Sequence, residues 1–114
     1  MAKKINLNDY LGHSMDCTCG KEHKTNLKIV DIDKDAVSRL PKHIEALGYK
    51  KPFLVADVNT WAAAGALAAE KLDVAGISYK KYIFNEKELI PDEKTLGSLM
   101  MAFSRDCDVI VAVG

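Results

Sequence analysis

The sequence lacks the patterns that would assign it to several large functional classes. No apolar stretch approaches the ~20 residues that cross a bilayer, and the N-terminus MAKKINLNDY has basic residues without an apolar core behind them, so no secretory signal is predicted. Sixteen basic residues balance sixteen acidic ones, so no net charge draws the chain to nucleic acid or to anionic lipid. We therefore expect no nucleic-acid partner and no membrane insertion.

Catalytic motifs are equally scarce. No G-x-G-x-x-G occurs, so none of these residues forms an obvious cradle for a pyrophosphate. No Ser-His-Asp or Cys-His nucleophile constellation can be assembled from the spacing, so no catalytic residue is predicted in this chain. There are three cysteines, an odd number, which together with the missing signal favours a reducing, cytoplasmic location.

What the sequence does contain is the composition of one globular domain: 114 residues, 48% hydrophobic and 28% charged. Its two parts differ in their pattern of polar and apolar residues. Residues 1–25 are polar and without periodicity, which predicts an irregular or short β N-terminal segment. Residues 26–114 alternate regularly between strand-like and helix-like segments, which predicts an α/β domain.

The alternation follows the order βαβαβαβ. The predicted strands are LKIVDI (27–32), PFLVAD (52–57), ISYKKYIF (77–84) and DVIVAV (108–113). Helices are predicted between them, with Pro41 in the first turn of one, Asn59 or Thr60 as N-cap of the next, and Pro91 at the start of the last. This order is typical of right-handed crossovers, so we expect an α/β fold with a parallel sheet and flanking helices.

The last nine residues, DCDVIVAVG, read as a strand buried on both faces and followed by a single glycine, Gly114. Strands of this kind normally lie in the middle of a sheet. We therefore expect an incomplete domain whose chain would continue after Gly114.

Asp57 is the sharpest candidate for binding. A carboxylate at the end of a strand and before a helix can accept hydrogen bonds from both hydroxyls of an adenosine ribose, and it repels a 2′-phosphate, which favours NAD over NADP. The alternative is that Asp57 only assists in capping the next helix. Asn59 and Thr60 are weaker candidates, since capping explains them as well.

The segment CTCGKEH raises the question of a metal. Thiolate and imidazole ligands from Cys17, Cys19 and His23 suit zinc, with His13, Asp16 or Cys107 as a possible fourth ligand. The spacing is C-x-C rather than the usual C-x-x-C. The alternative is therefore a pair of reduced cysteines beside a surface histidine.

In order along the chain, CTCGKEH, FLVADVNTWAAAG, PDEKTLGSLM and DCDVIVAVG resemble the N-terminal half of the sn-glycerol-1-phosphate dehydrogenases, in the iron-containing alcohol dehydrogenase and dehydroquinate synthase-like superfamily. The resemblance implies that residues 26–114 are part of an N-terminal Rossmann-like domain that binds NAD or NADP. It also implies a C-terminal catalytic domain, absent from these residues, that carries a divalent metal (zinc, nickel or iron). It further implies interconversion of dihydroxyacetone phosphate and sn-glycerol 1-phosphate, a reaction of phospholipid biosynthesis. The hydrophobic terminal strand favours association between chains, so we also expect a homo-oligomer.

By the same resemblance, Asp57 contacts the adenosine ribose and Gly114 is the first residue of the turn that holds the pyrophosphate. The catalytic metal and substrate residues would lie beyond Gly114, so the 114 residues alone are expected to be inactive. Glycerol and alcohol dehydrogenases of the superfamily remain alternatives.

Two non-catalytic alternatives are also open. In a flavodoxin-like or receiver-like module, Asp31 or Asp33 would act with Asp57 at strand ends, although the two dozen or so residues between them are too few for the intervening elements of a receiver. In a binding module, the sheet would instead be completed by another chain.

Overall fold

A computed structural model describes residues 6–12, 14–15 and 17–114 of the chain. The chain forms two compact units, residues 1–33 and residues 34–114, and each is considered by itself below. The separate assignment of residues 1–25 and 26–114 as domains stays a prediction. No helix in the described ranges is long and apolar enough to span a bilayer.

The N-terminal unit holds a 3₁₀ turn and a small hairpin. The turn, Leu7–Tyr10, is capped by Asn6, whose side chain accepts a hydrogen bond from the backbone N–H of Asn8 at 3.1 Å. Strands β1 (Ser14–Met15) and β2 (His23–Lys24) pair antiparallel. The structure therefore agrees with the prediction of a short β segment before the α/β part.

The predicted first strand, residues 27–32, is not formed. Residues 25–32 carry no regular secondary structure, and the side chains of Leu27 and Ile32 are 57% and 80% exposed. β-branched composition favours an extended backbone, but a strand also needs a neighbour to satisfy its N–H and C=O groups. Within the part of the chain that the structure describes, no strand pairs with this segment.

The C-terminal unit contains a three-stranded parallel sheet, which confirms the α/β class with three strands instead of the predicted four. Its strands are β3 (Pro52–Asp57), β4 (Lys80–Phe84) and β5 (Val109–Ala112), in the spatial order β4–β3–β5. β3 has the predicted bounds, whereas β4 begins three residues later than predicted. Pro52, Phe53 and Leu54 are buried because β3 is the central strand.

Helical segments connect the strands. A 3₁₀ turn (Ala36–Arg39) leads into α1 (Leu40–Ala46), whose first turn contains Pro41 as predicted. After β3 come α2 (Val58–Thr60), a π-helical turn (Trp61–Gly65) and α3 (Ala66–Val74), and α4 (Glu93–Ala102) precedes β5.

The two faces of the sheet are covered differently. On one face, Leu54 packs with Ile44 of α1 and with Ala69 and Leu72 of α3 in the buried core. On the other face, Phe53 makes an edge-to-face ring contact with Phe103, just after α4, at a centroid distance of 5.3 Å. Helices on both faces are what parallel crossovers produce.

Two aspartates fasten the amino ends of the strands. The carboxylate of Asp108 accepts hydrogen bonds from the backbone N–H groups of Lys50 and Lys51 at 2.8 and 2.9 Å, and these donors hold its pKa below the usual range. The Asp106 carboxylate pairs with Lys51, accepts from the Ser104 hydroxyl, and lies 3.2 Å from Lys80 Nζ. These contacts strongly lower the pKa of Asp106, and the contact with Lys51 has the largest effect.

Candidate functional site

The carboxyl edge of the sheet contains a reversal of strand order. From the central strand β3 the chain moves outward to β4 and then crosses back to pair β5 with the other side of β3. In open parallel sheets, ligands bind beyond the carboxyl ends of the strands at such a switch point. The switch point here lies between β3 and β5.

Asp57 and Gly114 lie beside this switch point. Asp57 is the last residue of β3 and pairs in register with Phe84, the last residue of β4. On the other side Val55 pairs with Ala112, and Val113 N donates to the carbonyl of Val55 at 2.9 Å. Continuing that register by two residues brings Gly114 level with Asp57.

The orientation of the Asp57 side chain is set by a capping box. Its Oδ1 accepts hydrogen bonds from the backbone N–H groups of Asn59 and Thr60, both at 2.8 Å, and its own N–H donates to Thr60 Oγ1 at 3.0 Å. Asp57 is thus the N-cap of α2, and the prediction of Asn59 or Thr60 as N-cap is wrong. The backbone of Asp57 is still extended (φ −100°, ψ 178°) and its carboxylate reaches the first free N–H groups, so the helix begins at Val58.

Capping occupies only one oxygen of this carboxylate. Among the described residues no hydrogen bond is made to Asp57 Oδ2, and the side chain is half-buried at the end of the central strand. Capping and ligand binding are therefore compatible: one oxygen holds the helix terminus, and the other can accept from a ligand hydroxyl. The fixed orientation also reduces the entropy lost on binding.

The two weaker candidates have different positions. Thr60 Oγ1 accepts from Asp57 N and lies 3.4 Å from the Asp57 carbonyl, so its hydroxyl belongs to the cap. Asn59 is exposed two residues beyond the strand end. The structure brings both to the same edge as Asp57, and a contact of either with a nucleotide stays a prediction.

The π-helical turn that follows the cap was missed by the sequence analysis. Gly65 is buried, and a Cβ built on it would lie 2.6 Å from Trp61 Cε3, so the glycine allows the indole ring to lie over the helix backbone. Lys81 Nζ lies 4.7 Å from the centroid of the Trp61 ring, within the range of a cation–π contact. A glycine four residues after a tryptophan was the available signal, and the spacing alone did not show the extra residue in the turn.

Two open cavities lie at opposite edges of the sheet. One, of about 660 Å³, is at the carboxyl end of β4 and is lined mainly by Phe84, Pro91, Leu96 and Leu99. The other, of about 720 Å³, is at the amino end of β4 and includes Tyr79, Lys80 and Lys81. Only the first adjoins the switch-point edge, because Phe84 is the register partner of Asp57.

The hairpin of the N-terminal unit brings the CTCGKEH ligand candidates together. One ligand atom from each of Cys17, Cys19 and His23 lies within 4.8 Å of the others, and Cys19 Sγ is 3.1 Å from His23 Nε2. The Cys19 backbone N–H, 3.5 Å from Cys17 Sγ, is the main cause of a lowered pKa for the Cys17 thiol. All three residues are exposed.

The other residues considered for this cluster, or for a receiver-like site, are placed as follows. His13 and Asp16 lie outside the described residues. Cys107 is buried in the C-terminal unit, with its sulfur 3.7 Å from the carbonyl oxygen of Pro52. Asp31 and Asp33 do not end a strand, because the predicted strand 27–32 is not formed.

Comparison with known proteins finds the same kind of relative repeatedly. The chain is 34% identical over 103 residues to a glycerol-1-phosphate dehydrogenase [NAD(P)+] of Halalkalibacterium halodurans, a match that spans 87% of this chain and 26% of that protein. A protein of the same name in Bacillus velezensis is 34% identical over 86 residues, which cover 73% of this chain and 22% of the relative. Another in Geobacillus stearothermophilus is 25% identical over 112 residues, which cover 95% of this chain and 28% of the relative.

These matches confirm the resemblance predicted from the motifs. The chain spans about a quarter of the length of the curated relatives it matches. No protein-family model matches it. No solved structure matches it either.

Proposed function

We propose that this chain, similar over most of its length to glycerol-1-phosphate dehydrogenases, is the adenosine-binding part of a dehydrogenase that interconverts dihydroxyacetone phosphate and sn-glycerol 1-phosphate. The names of the relatives support the reaction and the use of NAD or NADP. We propose that the reaction needs more than these 114 residues, since the chain spans about a quarter of the length of those relatives.

The observation that carries the proposal is the position of Asp57. It ends the central strand beside the switch point, and the cap fixes its carboxylate through Oδ1 while Oδ2 stays available. A ribose presents two adjacent hydroxyls, which need an acceptor held at such an edge. The carboxylate charge disfavours a 2′-phosphate at the same place, so we propose a preference for NAD.

The register of the three strands indicates where the other parts of the nucleotide would lie. The pyrophosphate is directed toward Gly114, on the β5 side of Asp57, where the missing Cβ allows a close approach of the backbone. The adenine is directed toward the β4 side, where Phe84 and the leucines of α4 provide apolar surface. The dinucleotide supplies the hydride when it is bound.

The substrate and a catalytic divalent metal, zinc, nickel or iron, require residues that the described part of the chain does not provide at this edge. We therefore propose that the 114 residues bind nucleotide without reducing dihydroxyacetone phosphate. A homo-oligomer also stays a prediction. β5 is an edge strand, and the side chain of Ile110 in it is 58% exposed.

Substitution of Asp57 tests the proposal. Asparagine is as good an N-cap as aspartate, so Asp57→Asn keeps the helix start while it removes the charge. We expect Asp57→Asn to weaken NADH binding by about tenfold, because a charge-assisted hydrogen bond is lost, and to leave NADPH binding equal or stronger. The two dissociation constants can be measured by calorimetry on the 114-residue chain.

Glu70→Gln is the matched control. Glu70 is an exposed residue of α3, and it lines neither of the two cavities described above. The substitution changes the net charge equally and should leave the ratio of the two affinities unchanged. Equal effects of the two substitutions would show that Asp57 acts through net charge alone, and the ribose proposal would be wrong.

A further inference from the structure

We propose that Cys17, Cys19 and His23 form a zinc site on the N-terminal hairpin, independent of the nucleotide edge. Their three ligand atoms already lie within 4.8 Å of one another. Two ligand atoms on one tetrahedral zinc are about 3.5–3.8 Å apart, as follows from Zn–S of about 2.3 Å and Zn–N of about 2.0–2.1 Å. Small side-chain rotations are enough to reach those distances.

The backbone presents these ligands from a tight turn. Gly20 N donates to the carbonyl of Cys17 at 3.1 Å, and Gly20 has φ +79°, which a side chain would disfavour. The turn returns the chain to β2, where His23 pairs with Met15 of β1. A single hairpin thus supplies all three ligands.

The donor set favours zinc over harder cations. Two thiolates and one imidazole are the ligands of structural and catalytic zinc sites, whereas magnesium and calcium take oxygen ligands. Two thiolates also balance the charge of a divalent ion. The N–H of Cys19 that points at Cys17 Sγ is a suitable outer-shell donor to a metal-bound sulfur.

Metal binding also has a structural reason here. Each strand of the hairpin has two residues, and an isolated two-stranded hairpin is marginally stable in water. An ion that ties the turn to β2 stabilises the hairpin in the way that small metal-bound domains are stabilised. Among the described residues the cluster supplies three ligands, and its exposed position keeps the fourth coordination place accessible.

The test is titration of the reduced chain with Zn²⁺ against a chromophoric chelator, followed by Co²⁺ substitution. We expect one Zn²⁺ per chain with a dissociation constant below about 1 μM, and a thiolate-to-cobalt charge-transfer band in the Co²⁺ form. Cys17→Ser, Cys19→Ser and His23→Gln should each weaken binding by at least about a hundredfold, since loss of even an outer-shell partner costs about 10- to 100-fold.

Cys107→Ala provides the control, because it removes the one cysteine outside the cluster, and circular dichroism reports whether each variant stays folded. This variant should bind Zn²⁺ as the parent chain does. Binding weaker than about 1 μM, or binding that persists in the three ligand variants, would overturn the site. Nucleotide binding is measured separately, so failure here leaves the proposed function intact.

Discussion

Different interactions stabilise the two faces of the parallel sheet. On the face that contains Leu54, the side chains of Ile44, Ala69 and Leu72 are at most 5% exposed and form an apolar core. On the face that contains Phe53, no residue of α4 is buried, and Met100 is 69% exposed. The first face is stabilised mainly by burial, whereas the second depends on two edge-to-face aromatic contacts and on charged contacts at the amino edge.

The largest expected difference between the faces comes from a matched pair of leucine truncations. Leu72 in α3 is completely buried, and Leu96 in α4 is 58% exposed. Leu72→Ala should lower the free energy of unfolding by about 2–5 kcal/mol, because it leaves a cavity in the core. Leu96→Ala should change it by no more than about 0.5 kcal/mol. Urea unfolding measures both, and similar losses would show that the faces are not different.

A smaller difference is expected from glycine substitutions in the two helical regions. Gly65→Ala places a Cβ 2.6 Å from Trp61 Cε3 and should destabilise the chain by about 1–3 kcal/mol through overpacking. Gly97 in α4 has no atom within 4 Å of a built Cβ, so Gly97→Ala should stabilise it by about 0.4–1 kcal/mol. Thermal unfolding monitored by circular dichroism gives both values, and two changes of the same sign would contradict this account.

Lowering the pH should destabilise the sheet face covered by α4 before it destabilises the face that contains Leu54. Lys51, Ser104 and Lys80 lower the pKa of Asp106, so this carboxylate stabilises the fold above its unfolded pKa of about 3.9. That contribution is lost as the pH falls below about 4 toward the folded value. Amide exchange between pH 7 and pH 3 should show protection lost first in α4 and β5.

Asp106→Asn is the check on that interpretation. The variant should be less stable at neutral pH and should lose less stability on acidification than the parent chain does. An unchanged pH profile would mean that the ion pairs on this face contribute nothing measurable, as is common for exposed pairs.

The sequence predicted those features that depend on local patterns. The bounds of β3 were correct because Pro52–Asp57 is a short apolar run with a clear start and end, and Pro41 was placed in a first turn because proline is tolerated only there. The prediction of a strand at residues 27–32 was wrong because β propensity does not show whether a partner strand exists. Leu96 and Met100 have the i, i+4 spacing of an apolar helix face, but spacing alone does not show that both side chains are exposed.

The candidate site was also predicted only in part. Asp57 was identified from its position between a strand and a helix, but the N-cap was misassigned since three polar residues within one turn all have the right chemistry. Only side-chain geometry separates them, with Asp57 Oδ1 2.8 Å from two backbone nitrogens. The proximity of Cys17, Cys19 and His23 also depends on the turn at Gly20, which a C-x-C spacing does not specify.

The most direct test of the central claim is an NMR titration of the ¹⁵N-labelled chain with NADH, because it locates the binding edge. The account predicts that the amide signals of Asp57, Asn59, Phe84 and Gly114 shift and saturate together. The alternative location is the cavity at the amino edge, where Lys80 and Lys81 could attract phosphates. Shifts centred on those lysines, or no saturable shift in the folded chain, would contradict the proposed nucleotide site.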